Sequence, residues 1–346
     1  MKTRIKILLI IGIPVVVFLC FYLTKEEMVE IRAEKNVVSN KGPSNKENLA
    51  KDHPIMAYQH VIWKYMNKDV QKVIDNYGEA DRIDPTPYGY EWWIYKEKDQ
   101  YFQIGVKENK IVSIYTPSEP ISIQPFKIGQ AYQEISDSYE LKNEIEFDNL
   151  RFKLSDKDLK LRPVVKLSDN NYVQLYFDQY EQILAGVRYM NKELMEIQKP
   201  YELYYAGTIT EPENPSKEEW KGIEQGMEKQ ILDVTNLIRA QYNVSELSWD
   251  DLAAKAAKDH SKDMFEQNYF SHYSLNGDGL KERLTNADAY YLSAGENIAA
   301  NYVDVPAVIH GWLNSEGHRD ALLKEEYTHL GAGAYHLYYT QNFLQK

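Results

Sequence analysis

The sequence predicts an α+β protein of two globular units behind one N-terminal membrane helix, and three observations carry that expectation. The chain has 346 residues, more than a single hydrophobic core usually organises. Its periodicity changes near residue 216, from strand-like alternation broken by short helices to long helical stripes followed by two late strands. The break itself, Thr210-Glu211-Pro212-Glu213-Asn214-Pro215-Ser216, sets two prolines and acidic residues between the unlike patterns.

The N-terminus is read as a signal anchor over residues 1–24. Lys2, Arg4 and Lys6 precede an apolar run from Ile7 to Leu23, interrupted only by Gly12 and Pro14, and Lys25, Glu26 and Glu27 close it. That run is at the short end of a membrane span. Phe21-Tyr22-Leu23-Thr24-Lys25 offers no small-residue cleavage site, so the helix is expected to stay attached. Leu19 is too bulky for Cys20 to follow a lipoprotein signal, and Cys20 is taken as membrane-facing. The cations place the N-terminal end in the cytoplasm and the rest of the chain outside. Residues 25–53, polar and centred on Asn40-Lys41-Gly42-Pro43-Ser44-Asn45, read as a linker.

Composition narrows the function. A formal charge of -12, spread along the chain, argues against nucleic acid as a partner. With its one cysteine in the anchor, the outer part has no disulfides, which suits a bacterial surface, and no thiolate can hold a metal there. The 28 tyrosines, half apolar and half polar, suit sheet faces and rims.

The first unit, residues 54–209, is expected to state one pattern twice. Residues 69–78 have helical spacing ending in glycine, followed by strand-like segments at 91–95, 101–106 and 111–115, with a hairpin turn at Glu108-Asn109-Lys110. A short helix from Ile128 opens the second pass, which continues through Phe147 to Leu154 and 172–177. It ends at 183–190, in the place of the 111–115 strand. Two helix-plus-sheet repeats in one domain follow.

The second unit, residues 217–346, begins with a helix over 218–242, whose Ile231, Val234, Leu237 and Ile238 share one stripe. An alanine-rich helix over 250–267 follows, opened by Ser248 and Asp250, then a helix over 305–313. Strands are expected at 331–335 and 338–343, with Gly331 and Gly333 allowing close approach of a helix. Helices flanking a sheet make a three-layer α-β-α sandwich.

Eight short motifs occur in this unit: Asn236-Leu237-Ile238-Arg239, Leu247-Ser248-Trp249-Asp250, His260-Ser261-Lys262-Asp263-Met264, Tyr269-Phe270-Ser271-His272, Gly295-Glu296-Asn297-Ile298-Ala299, Trp312-Leu313-Asn314-Ser315-Glu316-Gly317-His318-Arg319, His329-Leu330-Gly331-Ala332-Gly333 and Tyr339-Thr340-Gln341-Asn342-Phe343. In this order they resemble a bacterial CAP domain, of the superfamily of cysteine-rich secretory proteins, antigen 5 and pathogenesis-related proteins. The anchored first unit resembles the N-terminal region of CAP-associated proteins of Bacillus-like, Gram-positive bacteria. The resemblance implies a cleft lined by His272, Glu296 and His318. Eukaryotic relatives have a second glutamate where Ser315 stands here, with Glu316 beside it; bacterial members commonly carry Ser.

Imidazole and carboxylate are ligand types that suit zinc and similar divalent ions, calcium or magnesium being the other candidate ions, and His272, Glu296 and His318 as three ligands would leave a position for water. A metal-free alternative has Glu296 as general base beside two neutral imidazoles. Ser271 and Ser315 adjoin the histidines without a nucleophile-elbow glycine frame, which argues against acyl transfer. His260 is expected to pack on its helix and donate to the adjacent loop. His310 could face either way, and His329 and His336 are surface or strand-edge positions. Asn297 should pin the loop after Gly295, and Asp278 and Arg283 decorate the short helix after His272.

The expected function is a membrane-anchored extracytoplasmic protein whose cleft holds a divalent ion or small ligand, with a binding or scaffold role toward cell-wall material or a surface protein. One alternative is a metal-assisted hydrolase acting on peptide or wall material. Another is a lipid-binding protein, for which the sequence shows no apolar groove.

Overall fold

A computed structural model describes residues 29–32, 61–97 and 100–346. The anchor over 1–24 and most of the 25–53 linker lie outside the described residues. Among the described residues no helix is long and apolar enough to cross a membrane. Within the linker, four residues form strand β1 (Val29–Arg32), which pairs antiparallel with a strand of the second unit.

After a 3₁₀ turn at Ile62–Tyr65, the first repeat comprises α1 (Gln71–Tyr77), β2 (Arg82–Pro85), β3 (Glu91–Glu97), β4 (Gln100–Lys107) and β5 (Lys110–Thr116). Gly78 ends α1 at φ 80°, its N–H donating to the Ile74 carbonyl, as the helix-then-glycine pattern predicts. The β4–β5 turn places Glu108 and Asn109 at φ 49° and 60°, the two left-handed positions that a tight hairpin needs.

The second repeat comprises α2 (Tyr132–Ser138), β6 (Glu144–Phe147), β7 (Leu150–Lys153), α3 (Asp156–Leu161), β8 (Val164–Lys166), β9 (Asn171–Asp178) and β10 (Ile183–Asn191), followed by α4 (Lys192–Gln198) and β11 (Glu202–Tyr205). The large sheet runs β2-β3-β4-β5-β10-β9-β8. The last strands of the two repeats, β5 and β10, are antiparallel neighbours at its centre. From each edge inward the sheet therefore reads alike.

One segment departs from the expected pattern. Residues 144–153 leave the large sheet and fold as a hairpin, which pairs with β11 in a separate three-stranded sheet. Their alternation explains it: Ile145, Phe147, Leu150 and Phe152 are buried while the residues between them are exposed. A one-sided hairpin covers a core from outside, whereas a central strand would have to bury both faces.

The second unit holds α5 (Lys217–Gln241), β12 (Ser248–Trp249), α6 (Asp251–Glu266), α7 (Leu280–Asn286), β13 (Ser293–Ala300), α8 (Val305–Leu313), α9 (Glu316–Leu322), β14 (His329–Tyr335) and β15 (Tyr338–Gln345). Ser216 and Glu219 form a reciprocal capping box that starts α5, and the Asp250 carboxylate accepts from the Ala253 N–H to start α6. The sheet order is β1-β13-β15-β14-β12.

Successive residues of β15 reveal the layers. Gln341 donates to Thr235 of α5 at 2.7 Å, and Asn342 donates to the Ala253 carbonyl of α6 at 3.2 Å. Neighbours in a strand point to opposite faces. Helices α6 and α7 therefore cover one face, and α5, α8 and α9 the other, as the α-β-α expectation requires. A Cβ on Gly331 would lie 2.1 Å from the Ala254 nitrogen, and one on Gly333 2.0 Å from that of Lys258. The two glycines let α6 lie directly on β14.

The two units share a continuous core in which Trp92, Tyr115 and Tyr176 join Ile223, Val308 and Trp312. Polar contacts cross it at both ends. Arg82 reaches Asp233 at 2.9 Å, and Arg319 reaches Asp178 at 2.6 Å. Midway, Arg188 pairs with Asp304, both buried. His310 turns toward the first unit: its ring stacks on Tyr176 at 4.3 Å, and its Nε2 lies 3.0 Å from the Tyr115 hydroxyl. Gly186 makes room for it, since a Cβ there would stand 2.7 Å from Nε2.

Candidate functional site

The site begins at the end of α6, where the chain turns through residues 267–279. His260, nearly two turns before that end, holds the turn with a ring Nε2–H that donates to the Ser271 carbonyl at 3.0 Å, as the sequence led us to expect. This bond also fixes the ring, leaving Nδ1 as an acceptor. His272 follows at once and meets Glu296, which β13 buries completely on the α6/α7 face.

Here three side chains interlock. His272 Nδ1 lies 2.8 Å from Glu296 Oε1, and Arg283 of α7 donates to Glu296 Oε2 at 2.6 Å. The other terminal nitrogen of Arg283 donates to the carbonyls of His272, at 2.9 Å, and Asp278, at 3.1 Å. One guanidinium thus clamps both the carboxylate and the loop that carries the imidazole.

The electrostatics follow from these bonds. Burial alone would raise the proton affinity of Glu296, but the His272 hydrogen bond and the Arg283 charge outweigh it and hold its carboxyl below the usual range. Burial pushes the imidazole of His260 down to about 4. Glu296 is therefore a carboxylate at neutral pH, and His272 donates to it through Nδ1–H. The Nε2 of a neutral His272 is left as a lone pair, and it makes no hydrogen bond among the described residues.

The other expected members lie elsewhere. Ser315 is the N-cap residue of α9, with no side-chain capping bond, and His318 is buried within that helix. Asn297, next to Glu296 and therefore on the opposite face of β13, donates to the His318 carbonyl at 3.0 Å. It fastens α9 rather than the loop after Gly295. His272 and Glu296 are brought together on one side of the strand, while His318 is tied to the other.

The expected metal set of His272, Glu296 and His318 does not fit this arrangement. Among the described residues no three of His, Cys, Asp and Glu group so as to hold an ion. Both oxygens of Glu296 are already engaged, one by a guanidinium that repels a cation. Glu296 stands behind His272 and orients it, each carboxylate oxygen accepting one hydrogen bond.

Arg283 is the functional residue that sequence reasoning misplaced, as decoration of a short helix. Its position on α7, 13 residues before Glu296, carries no recognisable spacing. The only available signal was chemical: a buried glutamate needs a cationic partner.

Comparison with known proteins agrees with the fold and the motif order. Residues 66–201 match the model of the CAP-associated N-terminal domain, and residues 232–345 that of the cysteine-rich secretory protein family. The chain is 44% identical over 290 residues to Uncharacterized membrane protein YlbC of Bacillus subtilis, covering 82% of this chain and 84% of that protein. It is also 35% identical over 106 residues to Uncharacterized protein YkwD of the same organism, 31% of this chain and 41% of that one.

Two crystal structures are similar over most of their length. An extracellular protein containing a SCP domain from Bacillus anthracis aligns at 38% identity and a TM-score of 0.80, covering 88% of this chain and 99% of that one. A cysteine-rich secretory protein from Staphylococcus aureus aligns at 28% identity and a TM-score of 0.73, covering 83% and 96%. The chain belongs to the cysteine-rich secretory protein family, in the form that carries a CAP-associated N-terminal domain.

Proposed function

We propose that the protein is a membrane-tethered, extracytoplasmic binding module that holds a small polar ligand of the cell surface, such as a fragment of wall material, through His272. The observation that carries this reading is the oriented imidazole. Glu296 and Arg283 fix its tautomer and place an unbonded Nε2 at the half-buried edge of the domain. A fixed acceptor loses little entropy when it receives a ligand's O–H or N–H. The apolar run at residues 7–23 and the name of the Bacillus subtilis relative support tethering to a membrane.

The same lone pair favours one second reading, hydrolysis with His272 rather than Glu296 as the base that takes a proton from water. A single assay separates the two. The full chain in detergent micelles is mixed with wall fragments released by a glycosidase, and both retention and new products are measured. Binding without turnover, lost in His272→Ala, supports the module. Turnover lost in His272→Ala and in Glu296→Gln supports the hydrolase. Equal retention and equal product formation by wild type and His272→Ala remove both readings.

A further inference from the structure

The strand that follows the apolar N-terminal run joins the second unit, not the first. Strand β1 pairs with β13 from Val29 opposite Glu296 to Arg32 opposite Ser293, and α7 runs beside both strands. From Leu23, where the apolar run ends, to Val29 is six peptide steps. Whatever their conformation, six steps reach at most about 20 Å. A bilayer that holds the run therefore keeps its surface within that reach of the β1–β13 edge.

The same edge is where exposed apolar side chains gather. Among the described residues eleven large apolar or aromatic side chains are exposed, and five of them fall within residues 270–292, in the two loops at either end of α7. Before α7, Phe270 is 49% exposed, Tyr273 58% and Leu275 68%; after it, Tyr290 is 65% and Leu292 42%. Scattered singly such residues need no explanation, whereas a group of them marks a contact surface.

Backbone bonds hold both loops in place. The Gly277 N–H donates to the Ser274 carbonyl and the Ser274 N–H to that of Asp278, a tight turn with Leu275 at its tip, and the Leu292 N–H donates to the Gln345 carbonyl. Charge between the loops favours no ionic partner: α7 and the turn after it expose one cation, Lys281, against two anions, Glu282 and Asp288. Tyrosine, phenylalanine and leucine held out at a water boundary suit the interfacial layer of a bilayer.

We propose that this edge of the second unit docks on the membrane surface, with loop 270–275 and segment 290–292 inserted among the lipid headgroups. The proposal rests on the membrane tether of the preceding reading and not on any ligand of His272. The short tether gives the patch a high effective concentration at one surface, so that even weak insertion holds it there. His272 lies between Phe270 and Tyr273, and docking brings the cleft to the headgroup layer.

The test uses the full chain in phosphatidylcholine vesicles that contain a spin-labelled phosphatidylcholine as quencher. A fluorescent label is carried by Leu275→Cys, Tyr290→Cys or, as reference, Tyr204→Cys on β11 of the first unit, each in a Cys20→Ser chain. Flotation with the vesicles checks the tether separately. Labels at 275 and 290 should be quenched about threefold more than the label at 204, and about 0.5 M salt should not reduce this. Leu275→Asp should bring the 290 label to the level of the reference with the melting temperature unchanged. Equal quenching at the three positions in vesicles that float overturns the docking, leaving the tether intact and the patch to a protein partner. Quenching abolished by salt, or untouched by Leu275→Asp, also overturns it. Failure to float overturns the docking and the tether together.

Discussion

Two buried carboxylates in this protein each face one arginine, yet their proton affinities move in opposite directions. Glu296, in the cleft, is held below the usual range. Asp304, between the two units, is raised, because burial outweighs Arg188 and the Ala307 N–H. The difference lies in the partners. Glu296 receives hydrogen bonds from both a guanidinium and an imidazole, with a second histidine nearby, whereas Asp304 has a single guanidinium and a backbone N–H at the start of α8. One environment holds a buried charge behind the half-buried imidazole it orients; the other is a fastening between domains.

The largest effect should come from breaking that fastening. Asp304→Ala leaves Arg188, which cannot shed its proton, buried and unpaired, at a cost on the order of 3–5 kcal/mol in urea unfolding. Arg188→Met should cost less, since the raised Asp304 can take up a proton and become neutral. Equal losses would show that packing, not charge, decides this contact.

In the cleft, Glu296→Gln keeps the shape and removes the charge. A loss of roughly 1–3 kcal/mol in urea unfolding is expected from the two weakened charge-assisted bonds. An unchanged stability would mean that the carboxylate's charge does not hold the imidazole and the guanidinium together.

Acidification separates the regions further. Burial lowers His310 to about 3 and His260 to about 4. Between those values and the ordinary imidazole pKa of about 6.5, the unfolded chain takes up protons that the folded chain refuses, so stability falls as pH drops from 6.5 toward 4. Each histidine contributes up to about 1.4 kcal/mol per pH unit within that window. His310→Phe, which keeps a ring against Tyr176, should flatten the slope of melting temperature with pH by about half. A slope identical to wild type would refute the burial account.

The smallest effect sets the zero of the comparison. Lys255 and Asp259 are both exposed and one helical turn apart, and Lys255→Ala should cost no more than about 0.5 kcal/mol by thermal unfolding. A larger loss would mean that this pair holds α6 together more strongly than an exposed ion pair does.

Much of the architecture could be read in advance because it rests on local rules. The Gly78 cap, the Glu108-Asn109 turn, the α8 boundaries and the glycines under α6 each follow from conformation or size at single positions. The hairpin at 144–153 could not be placed, since alternation tells which face is buried but not which sheet supplies the cover. In the site, His272 and Glu296 were found by their motifs. Arg283 was not, because its pairing with Glu296 is made through space between a helix and a strand.

By itself the sequence determined the two-unit α+β organisation, the three-layer second unit, its family and the pairing of a histidine motif with a glutamate motif, because these depend on periodicity, turn chemistry and motif order. Only the tertiary structure decided what the site is made of. Strand alternation sends Glu296 and Asn297 to opposite faces of β13, so Glu296 meets His272 and Arg283 while His318 is held on the other side. A carboxylate so enclosed, with a guanidinium on one oxygen and an imidazole on the other, orients that imidazole.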